Sequence, residues 1–150
     1  MPLVKISCFE GRYTAEAKRA ISDSVYLAMR ETLAIPEGDQ FVVLSEHIGK
    51  HYSEFNNDEM FVDPHFQGMN RTDSFLLIHI TLSKGRTVEQ KQALYARIAE
   101  RLYEAARIPG DDVMVVLTEN NLEDWSFGKG QAQYVLNPPA WARKVEKEGN

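Results

Sequence analysis

At 150 residues, 43% hydrophobic and 26% charged, the chain has the length and composition of one globular domain with a sizeable core. Seventeen Lys and Arg against 22 Asp and Glu give a net charge of −5, and no basic tract stands out, which excludes a nucleic-acid role. No apolar run approaches a membrane span, no signal peptide precedes the first strand, and the single cysteine, Cys8, allows no intrachain disulfide; these features predict a cytoplasmic protein without a membrane partner.

The chain opens Met1-Pro2. Aminopeptidase removal of Met before Pro would leave a secondary amine at the start of the first predicted strand, residues 3–9. Cys8 reads there as a small buried hydrophobe. Thr14 is the expected N-cap of a first helix, with Glu16 at its positive end and Ile21, Val25, Met29 and Leu33 along one face. Pro36 ends it, and Asp39 leads into a second strand, residues 41–44. The stretch 47–74 is longer than a typical loop and mostly polar. His47, His51 and His65 lie in it, but Gly49 spoils helical presentation and no thiolate joins them, so no metal site is expected. A third strand over residues 75–82 follows, containing His79, read as a hydrogen-bonded core residue. Ser83-Lys84-Gly85-Arg86 then leads to Thr87, which with Gln90 fits a capping box. Leu94, Ile98 and Leu102 share one face of this second helix. Pro109 stops it before a fourth strand, residues 113–117.

The second half repeats the first. Without gaps, residues 14–47 align on 87–120 at an offset of 73, and twelve of the 34 positions are identical, among them Thr14, Lys18, Ile35, Pro36, Asp39, Val43 and Glu46. A long period occurring twice marks a duplicated supersecondary unit. Each unit, about 2–46 and 75–119, reads as a right-handed parallel βαβ element. The expected fold is therefore α/β: a four-stranded mixed sheet with two helices on one face. The apolar strand runs imply burial on both faces, so another subunit is expected over the bare one, with residues 47–74 as the lesser alternative. Residues 121–150 are expected to form a hairpin and a charged, loose tail.

Parallel neighbours start at the same sheet edge, which brings Pro2 and Asp39 together. A third strand antiparallel to the first delivers Arg86 to that edge. A secondary amine, a carboxylate and a guanidinium thus converge. The amine's proton affinity falls with burial and rises with a nearby carboxylate, so it can serve as base, acid or nucleophile. Arg86 can grip a substrate carboxylate with two parallel hydrogen bonds. The repeat copies, Arg12 and Asp112, should meet at the opposite edge, where no terminus supplies an amine.

Pro2, the PEGD of residues 36–39, the GRT of residues 85–87 and DWSFGKGQAQY of residues 124–134 resemble the tautomerase superfamily of amino-terminal-proline enzymes, and in particular its malonate semialdehyde decarboxylase branch. The resemblance covers roughly residues 2–136, apart from the longer insert. It implies a homotrimer of MIF-like fold, no cofactor, and small oxo-acid or unsaturated-acid substrates. By position it makes Pro2 the catalytic amine, Asp39 its carboxylate partner and Arg86 a carboxylate binder. Trp125, Phe127 and Tyr134 correspond to an apolar wall. Some decarboxylases have a second arginine where this chain has Ser83-Lys84; Lys84 offers a point charge there but no planar fork. The implied activity is keto–enol tautomerisation or decarboxylation of a malonate-semialdehyde-type acid. The alternatives are water addition of the 3-haloacrylate dehalogenase or hydratase type, and a cytokine-like binding protein of the same fold.

Overall fold

The computed structural model describes residues 1–49 and 58–143. Their order is β1 (Pro2–Phe9), α1 (Ala15–Leu33), β2 (Val42–His47), β3 (Leu76–Ser83), α2 (Val88–Ala106), β4 (Val113–Asn120) and a short α3 (Gln133–Leu136). The four strands form one sheet in the order β2-β1-β3-β4. β1 pairs with β2 in parallel and β3 with β4 in parallel, and the two halves join through the antiparallel pair β1/β3.

The two units keep the same local devices. Thr14 accepts a hydrogen bond from the Ala17 amide, and Thr87 forms the complete capping box with Gln90, satisfying amides that a helix start leaves unpaired. Each helix ends on a left-handed residue, Ala34 (φ 54°) and Arg107 (φ 55°), two positions before Pro36 and Pro109. Lys18 pairs with Glu46, and Lys91 with Glu119, tying each helix to the strand that follows it. Both strand pairs outlast the apolar runs that announce them, β2 continuing to His47 and β4 to Asn120.

The core lies between one sheet face and the two helices. Val4, Ile6 and Cys8 of β1 and Leu76, Ile78, Ile80 and Leu82 of β3 meet Ile21, Val25 and Met29 of α1 and Leu94, Ile98 and Leu102 of α2. Burial pushes the Cys8 thiol up to about 11, so it is an inert apolar group at neutral pH. Among the described residues no helix is long and apolar enough to cross a membrane.

Among the described residues no helix covers the opposite face. Phe41 (51% exposed), Val43 (53%), Met114 (38%) and Val116 (40%) point from it. His79 also belongs to this face and not to the core: its Nε2 lies 2.7 Å from Thr118 Oγ1. An alternating strand sends its odd neighbours outward however apolar the run around them is. Met60, Phe61 and Phe66 reach back over one end of the face, where they border a cavity with Leu77 and Met114. His47 Nε2 faces Ser7 Oγ, and His65 Nδ1 faces the Met69 carbonyl; His51 lies outside the described residues. Beyond β4, the hairpin expected over residues 121–150 amounts to one bridge pair, Gly128 with Gln131, followed by the helical turn α3; residues 144–150 lie outside the described residues.

Candidate active site

The register sets the site. Pro2 pairs with Leu82 across β1/β3, so the start of β1 and the end of β3 share one edge. Asp39 precedes β2, parallel to β1, and arrives at the same edge. Its approach is held by α1: Tyr26 donates its hydroxyl to the Pro36 carbonyl at 3.1 Å and accepts from the Gly38 amide at 3.0 Å. Gly38 has φ 84°, which a side chain would strain, so glycine is suited to the turn that delivers Asp39.

Arg86 is placed by a second glycine. With φ 125°, Gly85 turns the chain back on itself, and Arg86 Nη1 donates to the carbonyl of Ser83 at 2.8 Å. The guanidinium lies 5.6 Å from the centroid of the Trp141 ring. Burial lowers its proton affinity, against the fields of Tyr134, Glu119 and Asp39, yet an arginine stays charged.

The terminal ammonium, here that of Met1, stands 3.7 Å from Asp39 Oδ2 and donates to the Tyr134 hydroxyl at 3.2 Å. It marks the field that a terminal amine meets at this edge. Desolvation lowers its pKa below the ordinary 8.0; Asp39 works in the opposite direction and Arg86 reinforces the fall. Burial raises the Asp39 carboxyl, partly offset by the ammonium and Arg86. Burial likewise raises Tyr134. A cavity of about 510 Å³ opens here, lined by Met1, Asp39, Lys84, Arg86, Tyr134 and Trp141 together with the turn at residues 33–36. Such a site can hold a small acid by its carboxylate and present its carbonyl to an amine whose protonation the neighbours set.

Asp39, Arg86, Lys84 and Tyr134 therefore share one cavity with the start of the chain. Trp125 and Phe127 do not line it. They extend a row of rings behind Tyr134, with Phe127 edge-on to Tyr134 at 4.8 Å and Trp125 stacked on Phe127 at 5.7 Å. Trp141 was absent from the sequence expectations because it lies next to a charged tail. A lone tryptophan after Pro138-Pro139 is the signal that residues 138–143 dock onto the body.

At the opposite edge the copies meet a continuous chain. Asp112, fully buried, accepts from Thr72 N at 2.6 Å and from Thr72 Oγ1 at 2.7 Å. Arg12 donates to Ser74 Oγ at 2.7 Å, and Tyr13 donates to the Ser74 carbonyl at 2.5 Å. Residues 72–74 occupy the place that the amine has in the first site.

Comparison with known proteins identifies the family. A family described as "Tautomerase enzyme" matches residues 2–54, and a second family of the same description matches residues 50–128. The chain is 36% identical over 135 residues to the probable tautomerase YusQ of Bacillus subtilis (strain 168), covering 90% of this chain and 99% of that one. Among solved structures it resembles the FG41 malonate semialdehyde decarboxylase inhibited by 3-bromopropiolate, with 37% identity, a TM-score of 0.80 and coverage of 92% and 98%. It also resembles a malonate semialdehyde decarboxylase described by its decarboxylase and hydratase activities, at 28% identity, a TM-score of 0.80 and coverage of 92% and 99%. The chain thus belongs to the tautomerase superfamily of enzymes, on the branch similar to malonate semialdehyde decarboxylase.

Proposed function

We propose that the chain, freed of Met1, uses the secondary amine of Pro2 to act on small oxo acids, by keto–enol tautomerisation or by decarboxylation of a malonate-semialdehyde-type acid. The observation that carries this reading is the convergence of the terminal amine, Asp39 and Arg86 on one cavity. Arg86 binds the substrate carboxylate, and Lys84 adds a second positive charge at the rim. Tyr134 closes the wall beside the amine, backed by Phe127 and Trp125.

As a tautomerase, the neutral amine takes a proton from the enol oxygen and returns one to the α-carbon. As a decarboxylase, the amine adds to the 3-oxo carbon, water leaves, and the resulting iminium accepts the electron pair released when carbon dioxide departs. Protonation of the enamine carbon and hydrolysis then restore the amine. Asp39 steadies the cationic forms.

Water addition to an unsaturated acid is the second reading, supported by the hydratase activity named for the 28% identical decarboxylase. The enzyme is proposed to work as a trimer, with the uncovered sheet face buried between subunits.

The test pairs intact mass with turnover on a panel of phenylenolpyruvate, malonate semialdehyde and 3-haloacrylates, followed by product NMR. Processed protein is expected to turn over at least one of them. Protein retaining Met1, whose proline nitrogen is an amide, is expected to be inactive at unchanged circular dichroism. Equal rates from the two forms would overturn the catalytic-proline reading.

A further inference from the structure

A second cavity, of about 400 Å³, adjoins the first and shares Lys84, Gly85 and Trp141 with it. Trp141, whose ring centroid is 5.6 Å from the Arg86 guanidinium, lines both cavities. The second cavity has its own polar groups. Ser83 is 1% exposed, and its hydroxyl has no hydrogen-bond partner among the described residues. The buried Oδ1 of Asn120 has none either. Both residues line this cavity, next to one another across the β3/β4 register. Buried polar atoms left unpaired are costly, and two of them bordering one space point to a ligand that pairs them.

We propose that this cavity is a specificity pocket for the distal end of the substrate, and that it selects an oxo acid whose chain ends in a hydroxyl group. The proposal rests on the reading above, in which Arg86 holds the carboxylate in the first cavity. The surroundings choose the chemistry. Glu123 on the rim opposes a second carboxylate, and Lys84 opposes an ammonium. A neutral hydroxyl meets neither objection. It donates to Asn120 Oδ1, the unpaired acceptor, while accepting from the Ser83 hydroxyl. Leu122 and Trp141 give the intervening methylenes an apolar wall.

The test is calorimetric binding to the processed enzyme of ω-hydroxy-2-oxo acids of increasing chain length, each against its parent without the hydroxyl. At one chain length the hydroxylated acid is expected to bind roughly tenfold more tightly than its parent. Asn120→Leu and Ser83→Ala should each erase most of that ratio; the Ser83 variant keeps the carbonyl that holds Arg86. The methyl ether of the same acid, which donates nothing, should lose the advantage on the unaltered enzyme, so the outcome does not depend on either variant folding. Equal binding of hydroxylated and parent acids at every length overturns the proposal, as does a preference that survives both variants. Arg86→Ala separates the two levels of the argument. It should weaken both acids alike and leave their ratio unchanged; if it weakens neither acid while the hydroxyl preference stands, the pocket is kept and the carboxylate grip is refuted.

Discussion

The terminal amine sits between two charges that pull its proton affinity in opposite directions, while desolvation sets the overall fall. That fall is the one met by the Met1 ammonium; a Pro2 amine exposed to the same field is expected to form its neutral base at lower pH than an exposed terminus, and an activity needing that base then rises with pH through the lowered value. Asp39→Asn removes the attraction that favours the ammonium, so the midpoint should move further down. Arg86→Ala removes a repulsion, so it should move up. Titration of a nitrogen-labelled proline amine by NMR reads both without turnover, and movement in the same direction for the two variants contradicts the electrostatic account. Arg86 also carries the carboxylate grip in the proposed mechanism. Its loss should cost on the order of 2–4 kcal/mol, about 30- to 1,000-fold in kcat/KM. Arg12 is its counterpart at the closed edge, where it pairs with Asp73 and Ser74. Arg12→Ala should leave turnover within about twofold and cost no more than about 1 kcal/mol of stability. Steady-state kinetics on the two variants side by side checks the asymmetry, and equal losses would remove it.

At the scale of the elements, a helix terminus offers a stability test. Ala34 holds a left-handed conformation at the end of α1, where glycine carries no steric penalty. Ala34→Gly should stabilise the fold by about 1 kcal/mol, read as a higher urea midpoint at unchanged slope. The strand–helix–strand units were legible because each device recurs after 73 residues: capping threonines, apolar helix faces and prolines beyond the helix ends. That the start of the chain, Asp39 and Arg86 share one sheet edge followed from strand direction. Strand ends did not, because ladder hydrogen bonding continues through Ser45 and Glu46, which no apolar run announces. His79 was misread for a related reason: an apolar run says that a strand is partly buried, not which face each side chain takes. Trp141 and the second cavity were invisible because they depend on residues 138–143 folding back on the body, a long-range contact with no local period.

Among the described residues the molecule is one sheet with a single helical layer, and its open face is the largest demand left on the fold. Two positions locate that demand. Val43 and Val116 are repeat equivalents, one on each edge strand, and both project outward with about half their surface in water. Phe41 and Met114 are the next equivalent pair and are exposed in the same way. Of the described insert residues, Met60, Phe61 and Phe66 border a cavity with Leu77 and Met114 at one end of this face. An apolar patch repeated on both edges of a sheet suits closed assembly, since each subunit then offers two related surfaces to its neighbours. In the proposed trimer these valines are buried at subunit contacts. Replacing both with glutamate places unpaired charges there, a cost of several kcal/mol per contact by the desolvation of each carboxylate. In the isolated subunit the same carboxylates face water and cost little. The double variant should therefore sediment as a monomer, with helical circular dichroism retained and a lower thermal midpoint, while the unaltered protein sediments as a trimer at micromolar concentration. A well-folded monomer from the unaltered protein, or a double variant that still assembles, would show that the open face is not the contact surface.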